Sequence, residues 1–151
     1  MADAPKRTIV TEGDFAGWTV AEVNENFNAL VGPYYYRQEA DGKIKVAFKA
    51  EKRHLNGGGT IHGGCLLTLA DTALFIFALP VLEGGGAVTV QLDAQFQSAG
   101  RLDDIVVASG EVTRAGKTLI FARGDLHCAD RLLTSFTGIL ARKAPAGSRD
   151  G

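Results

Sequence analysis

From about Ile61 to Leu79 the chain is apolar on nearly every side of a helical projection, with Leu, Ala, Phe and Ile dominating and one charged residue, Asp71. A helix with no polar face belongs at the centre of a fold, so the rest of the chain must be able to cover it. The run is long enough to raise the question of a membrane, yet Thr68, Asp71, Thr72 and Pro80 interrupt it. A mid-span Asp costs about 2.5–3.5 kcal/mol on insertion scales. With a mean hydropathy of only +0.05 for the whole chain, a buried helix in a soluble domain is the expectation.

The chain beyond this helix reads as strands. Val88, Val90, Leu92, Ala94 and Phe96 alternate with polar residues, which predicts a half-buried strand with those five on the covered face. Ile105 to Arg114, Thr118 to Cys128 and Leu132 to Arg142 come next, joined by turns at Ala115-Gly116 and Ala129-Asp130-Arg131. Short connections between long strands mean an antiparallel meander. Before the helix, Phe15, Trp18, Val20, Val23, Phe27, Leu30 and Val31 recur at helical spacing, with Gly32-Pro33 as a stop, predicting a short helix over about 14–31. Tyr34-Tyr35-Tyr36 then leads through an Asp41-Gly42 turn to alternating Ile44, Val46 and Phe48, a hairpin. The expected fold is α+β, a curved antiparallel sheet wrapped around a long central helix.

A chain of 151 residues, 46% hydrophobic and 22% charged, fits one domain over 1–143, with 144–151 expected to be a disordered tail. Such a domain buries roughly 68–70% of its unfolded surface and needs no disulfides to fold, so Cys65 and Cys128 are expected to be reduced thiols. Sixteen Lys and Arg against seventeen Asp and Glu, with no basic block, argue against nucleic acid as a partner. No apolar stretch comes after the charged start of the chain, so no secretory signal is read there and a cytoplasmic location is expected, without a membrane partner.

Asp71 is the residue with most to explain, because a carboxylate on an apolar helix must protonate, pair or serve a functional cavity. It could cap a loop or pair with an Arg; it could equally do chemistry. Ahead of it, His62-Gly63-Gly64 lies at the helix N-terminus, where backbone N–H groups are unpaired and the helix dipole is positive. Glycine there permits close approach of a carbonyl whose developing oxyanion those amides would stabilise, or serves only as a turn. Asn56 offers a side-chain amide to the same carbonyl or merely shapes a Gly-rich turn, and His62 either acts as a base or holds the loop by hydrogen bonds. His54, His62, Cys65 and Asp71 match no recognised metal-ligand spacing.

The stretch Asn56-Gly-Gly-Gly-Thr-Ile-His62-Gly-Gly-Cys-Leu-Leu-Thr-Leu-Ala-Asp71-Thr-Ala resembles the signature of PaaI-like acyl-CoA thioesterases of the hotdog superfamily. The likeness runs from about residue 40 to 143, through the Val88-Thr89-Val90 strand start and the Arg114-Ala-Gly-Lys117 hairpin, and not through the first forty residues. It implies hydrolysis of acyl-CoA to a free acid and coenzyme A. Asn56 and the Gly63 amide would polarise the thioester carbonyl, Asp71 would activate water or attack directly, and Thr89 would orient the water. No metal or bound cofactor is implied, with coenzyme A present only as part of the substrate. Gly64 falls at the substrate-binding turn, and Arg114, Lys117 and Lys143, with Arg123 and Arg142, are candidates for the coenzyme A phosphates. Tyr34, Tyr35, Tyr36, Phe75 and Phe77 could line an acyl pocket and could equally be ordinary core.

Gly63 and Asp71 are eight residues apart, about 12 Å along one helix, so one thioester carbon cannot meet both in the same chain. That spacing calls for a homodimer with sites completed across a twofold axis, and the resemblance implies a dimer of dimers, a homotetramer. The alternatives are a hotdog enoyl-thioester hydratase, for which His62 and Asp71 lie too far apart in one chain, and a non-catalytic acyl-CoA binding protein, which has no need of the Asp71 carboxylate.

Overall fold

The computed structural model describes residues 6–21 and 26–143. In chain order these form β1 (Arg7–Ile9), β2 (Thr19–Ala21), α1 (Phe27–Val31), β3 (Tyr35–Gln38), β4 (Ile44–Lys49), a 3-10 turn (Lys52–His54), α2 (Gly63–Leu82), β5 (Gly86–Phe96), β6 (Ile105–Ala115), β7 (Leu119–Cys128) and β8 (Arg131–Lys143). The helix expected over about 14–31 is confined to α1. The Thr19–Ala21 stretch pairs instead with β1 and β3, where its backbone groups are satisfied by neighbouring strands. The expected tail, 144–151, lies outside the described residues.

Among the described residues the strands make one antiparallel sheet in the order β1-β2-β3-β4-β6-β7-β8-β5. The hairpin and meander expected from the turns are present: Gly42 takes a positive φ of 83° between β3 and β4, and β6, β7 and β8 pair consecutively. The expected curved wrap around the helix is not what forms. The sheet is open, with β1 and β5 at opposite ends and unpaired with each other, and α2 lies across one face against β4, β5, β6, β7 and β8. The reason is in α2 itself. Leu66, Leu69, Ala70, Ala73, Leu74, Phe77 and Ala78 are buried against the sheet, whereas Gly64, Asp71 and Pro80 are exposed, so the helix has one covered face rather than a covered circumference. It has the length and hydropathy of a membrane span, with half of that window buried in the protein.

The sheet's other face carries a second, smaller core. Val46 and Phe48 of β4 point to α2, while Ala47 between them meets Phe15 and Trp18 from the β1–β2 connection. Tyr35 stacks on Phe15 with ring centroids 3.9 Å apart.

Two features set how closely α2 sits and where it starts. Gly110 of β6 pairs with Gly124 of β7 beneath Phe77, and a Cβ at Gly110 would come within 2.2 Å of the Arg123 carbonyl oxygen and 2.6 Å of the Phe77 ring. At the N-terminus of α2, His62 Nδ1 accepts the Gly64 N–H at 2.9 Å, and the His62 carbonyl accepts from Cys65 and Leu66. The expected result for Gly110→Ala is a stability loss of about 1–3 kcal/mol, read as a lower denaturation midpoint, because backbone rather than a flexible side-chain end must move. His62→Ala should lose about 1 kcal/mol with the cap, and His62→Asp, which restores an acceptor, should recover most of it in the same titration.

Candidate active site

The N-terminus of α2 is held by residues upstream of the glycine loop. Arg53 Nη1 donates to the Leu30 carbonyl at 2.8 Å, its other Nη donates to the Gly32 carbonyl, and Nε donates to Glu51 at 3.1 Å. His54 is buried; its Nδ1 accepts the Glu51 N–H at 2.8 Å and its carbonyl accepts the His62 N–H at 2.8 Å. Burial holds the His54 imidazole below its usual pKa, favouring the neutral ring that this acceptor role requires. The chain then loops through Asn56–Thr60 and returns, with Leu55 and Ile61 bridging.

Asn56 organises that loop. Its Oδ1 accepts from Gly58 N at 2.9 Å and Thr60 N at 3.2 Å, and its Nδ2 donates to Thr60 Oγ1 at 2.9 Å. An amide nitrogen has two hydrogens, so one Nδ2 donor remains for a ligand while the side chain is held in place by the others.

The first amides of α2 are divided unequally. Gly64 gives its N–H to His62, and Cys65 and Leu66 give theirs to the His62 carbonyl. Gly63 alone among these four has an N–H with no hydrogen-bond partner among the described residues. His62 is therefore a cap in this structure, as the loop-holding alternative supposed, although it accepts from a backbone N–H rather than donating to carbonyls. The Gly64 N–H, expected at the substrate turn, is occupied. Beside Gly63 lies a groove of about 370 Å³ lined by Ile61, Gly63, Leu66, Phe96 and Gln97–Gly100. The Phe96 ring sits 3.3 Å from where a Gly63 Cβ would be.

Asp71 is exposed, contrary to the expectation of burial, and makes no hydrogen bond or ion pair among the described residues, so it neither caps a loop nor pairs with an Arg there. Burial and, to a lesser degree, the Asp71 charge raise the pKa of Tyr34, whose hydroxyl is buried without a partner among the described residues. Cys65 is no nucleophile: burial pushes its thiol up to about 11. Thr89 pairs with the buried Leu140, so it faces the side of the sheet that carries α2, at the free edge.

The expected alternation along β5 fails at this point. A bulge between Thr89 and Gln91 shifts the register, leaving Val88 and Val90 exposed while Leu92 and Ala94 pack on the core. Phe96 keeps to the α2 side, opposite the buried Thr134, as the alternation predicts, but near the strand end it is 53% exposed over Gly63. The Arg53 clasp has no sequence signal, since its carbonyl partners lie more than twenty residues away.

Arg114, Lys117 and Lys143 are all exposed and lie at the ends of β6 and β8 and in the β6–β7 turn. There Arg142 ties the turn to α2, donating to the Gly116 and Val81 carbonyls. This is the C-terminal end of α2, about 30 Å along the helix from Gly63. A larger hollow of about 790 Å³ on the opposite face of the sheet, lined by Lys43, Glu111, Arg123, Asp125 and Ser135 among others, is remote from Gly63.

A model of the thioesterase superfamily matches residues 58–135. Over 111 residues the chain is 36% identical to a Pseudomonas aeruginosa protein provisionally named an esterase, covering 73% of this chain and 83% of that one. It is 33% identical over 101 residues to human acyl-coenzyme A thioesterase 13, covering 67% and 72% of the two chains. Among solved structures, a hypothetical thioesterase of Streptococcus pneumoniae with coenzyme A superposes at a TM-score of 0.67 and 28% identity, covering 74% of this chain and 89% of that one. The E. coli PaaI protein superposes at a TM-score of 0.66 and 26% identity, covering 78% and 83%. The family match takes in all of α2 and β5 to β7, and the chain belongs to the thioesterase superfamily of hotdog-fold hydrolases as a relative of the PaaI-like acyl-CoA thioesterases.

Proposed function

We propose that the protein hydrolyses acyl-CoA thioesters to a carboxylic acid and coenzyme A, in a site shared between two copies of the chain. The observation that carries this reading is the unpartnered Gly63 N–H at the positive end of α2, bordering a groove, with the spare Asn56 Nδ2 donor in the adjacent loop. Two such donors suit an oxygen that gains negative charge as a carbonyl is attacked. Asp71 supplies the base. Its carboxylate takes a proton from water as the water oxygen bonds to the thioester carbon, the carbonyl electrons move onto the oxygen held by Gly63 and Asn56, and their return expels the coenzyme A thiolate. Thr89 positions the water.

Asp71 and Gly63 of one chain are about 12 Å apart along α2, so each Asp71 serves the carbonyl held by the other copy. The free edge supports this arrangement. The β5 strand is 11 residues long, has one side without a strand neighbour among the described residues, and exposes Val88 and Val90 at 42% and 56%, a surface that folded chains seldom leave uncovered. Antiparallel pairing of β5 with its copy about a twofold axis continues the sheet and lays the two α2 helices side by side in opposite directions. In that assembly Arg114, Lys117 and Lys143 of the copy that supplies Asp71 are the cations available to the coenzyme A phosphates, and a dimer of dimers forms through faces other than β5. Among the relatives, the S. pneumoniae protein was solved with coenzyme A, and also as variants in which a threonine or an aspartate is replaced by alanine.

Asp71→Asn should leave the assembly intact and lower thioester turnover at least about a hundredfold, since it removes the base and keeps the shape; wild-type kcat in a thiol-release assay would sink the assignment. Inactive Asp71→Asn mixed with inactive Asn56→Ala under subunit exchange should regain activity. Random exchange makes about half the dimers mixed, each with one intact site of two, so recovery approaches about a quarter of wild type. Verified exchange with activity no higher than either parent would rule out the shared site.

A further inference from the structure

We infer that His54 is a positioning residue for the hydrolysis proposed above. By accepting the Glu51 N–H, its imidazole fixes the spacing of the two donors, the Gly63 N–H and Asn56 Nδ2, that receive the thioester oxygen. The inference rests on that reading and names a further residue on which its rate depends.

Asn56 and Gly63 are seven residues apart, and Gly57, Gly58 and Gly59 lie between them. Three glycines in succession leave the backbone a wide choice of paths, so the separation of the two donors must be set from outside that run. Asn56 and Thr60 close the loop on itself, the Asn56 N–H donating to the Thr60 carbonyl at 2.8 Å. At the base of the loop the His54 carbonyl accepts the His62 N–H at 2.8 Å. Gly63 is the residue after His62, and Asn56 is two residues after His54. Both donors therefore hang from His54, one through the chain and the other through a single hydrogen bond.

A carbonyl holds its partner in place only when its own backbone is held, and His54 is held through its ring. The imidazole is 4% exposed, its Nδ1 accepts the Glu51 N–H at 2.8 Å, and its ring stands edge to face with Phe48, centroids 5.1 Å apart. Phe48 is buried in β4, one of the strands under α2, so this contact ties the loop to the same sheet that carries the helix. The Nδ1 bond also braces the 3-10 turn over Lys52–His54, in which the His54 N–H donates to the Glu51 carbonyl at 2.9 Å. An imidazole that accepts at Nδ1 is the neutral ring with its proton on Nε2. Without that acceptor the Glu51 N–H loses its partner, the turn loosens, and the His54 carbonyl is free to rotate away from His62. A donor displaced by a fraction of an ångström still meets a ground-state carbonyl but loses much of its hold on the oxyanion, so the effect falls on the chemical step.

The experiment separates the acceptor from the ring. His54→Phe keeps the ring and removes the acceptor, whereas His54→Asn removes the ring and keeps an acceptor, its Oδ1 standing as many bonds from Cβ as Nδ1 does. Phe15→Leu is the control, loosening the second core on the sheet face away from α2. For each folded variant kcat and KM are measured with acetyl-, hexanoyl-, decanoyl- and benzoyl-CoA, well below its denaturation midpoint. His54→Phe should lower kcat at least about tenfold with KM within about threefold of wild type, the mark of an interaction made in the transition state. The factor should be the same for every thioester cleaved, because the two donors meet the carbonyl and not the acyl group. His54→Asn should recover most of the loss, and Phe15→Leu should lower the midpoint and keep kcat. If His54→Phe does not fold, His54→Leu, also without an acceptor, takes its place. A kcat within about twofold of wild type in the folded variant without the acceptor overturns the inference and leaves hydrolysis in place. A kcat for His54→Asn no higher than for that variant overturns it as well, since the ring's packing and not its acceptor would then matter. Failure of the wild type to cleave any of the four thioesters would remove the thioesterase reading itself and this inference with it.

Discussion

The structure depends on one packing event, the laying of a twenty-residue apolar helix across five antiparallel strands. Leu69, Ala70, Ala73 and Leu74 are wholly buried at that contact, and the small residues among them, with Gly110 beneath Phe77 and Gly138 beneath Leu74, let helix and sheet approach closely. Interiors packed this tightly transmit position, so the helix is held at one height and angle above the sheet. The candidate functional groups take their places from that. The free amide is at the start of α2, the carboxylate is two turns along it, and the threonine is on the next strand in the chain.

The start of α2 is held from the other side as well. Arg53 clasps two carbonyls of the α1 region, His54 bonds the backbone on both sides of the glycine loop, and His62 closes the first turn. The Gly64, Cys65 and Leu66 amides are engaged by His62, which leaves the Gly63 N–H without a partner among the described residues. An unpaired amide at a helix end is ordinarily bonded to water or to a ligand. Here it opens on a groove walled by Phe96, where a carbonyl can replace water, and the residues that would otherwise compete for it are already engaged with one another.

In the proposed reaction a single copy is chemically incomplete. Asp71 has no partner among the described residues of its own chain, Val88 and Val90 stand exposed on an edge strand, and the cations of the β6–β7 turn lie at the far end of α2 from the amide. All three bear on the shared site proposed above. A helix fixes the distance between groups along its axis, so chemistry that needs both of them at one atom must take one from another molecule. The bulge after Thr89 breaks the simple alternation of β5 and leaves Val88 and Val90 exposed instead of in the core.

Much of the fold is legible in the residues. The helix shows itself by its continuous apolar run, the meander by its turns, the β3–β4 hairpin by Asp41-Gly42, and the loop with the Asn56, Gly63 and Asp71 positions by their spacing and by likeness to a known signature. These are local properties, set by periodicity, by backbone freedom at glycine and by a charge among apolar neighbours. What the residues do not reveal depends on which surfaces meet. Thr19–Ala21 has apolar spacing compatible with a helix and becomes a strand because β1 and β3 lie on either side of it. Asp71 reads as buried because its neighbours are apolar, and is exposed because the open sheet covers only one side of the helix. Phe96 reads as a strand residue and walls the groove because the end of β5 brings it over Gly63. Amino-acid order determined the elements and the identity of the candidate groups, since those arise from interactions a few residues apart; the open sheet, the strand at Thr19–Ala21 and the exposure of Asp71 were decided only by contacts between residues distant in the chain.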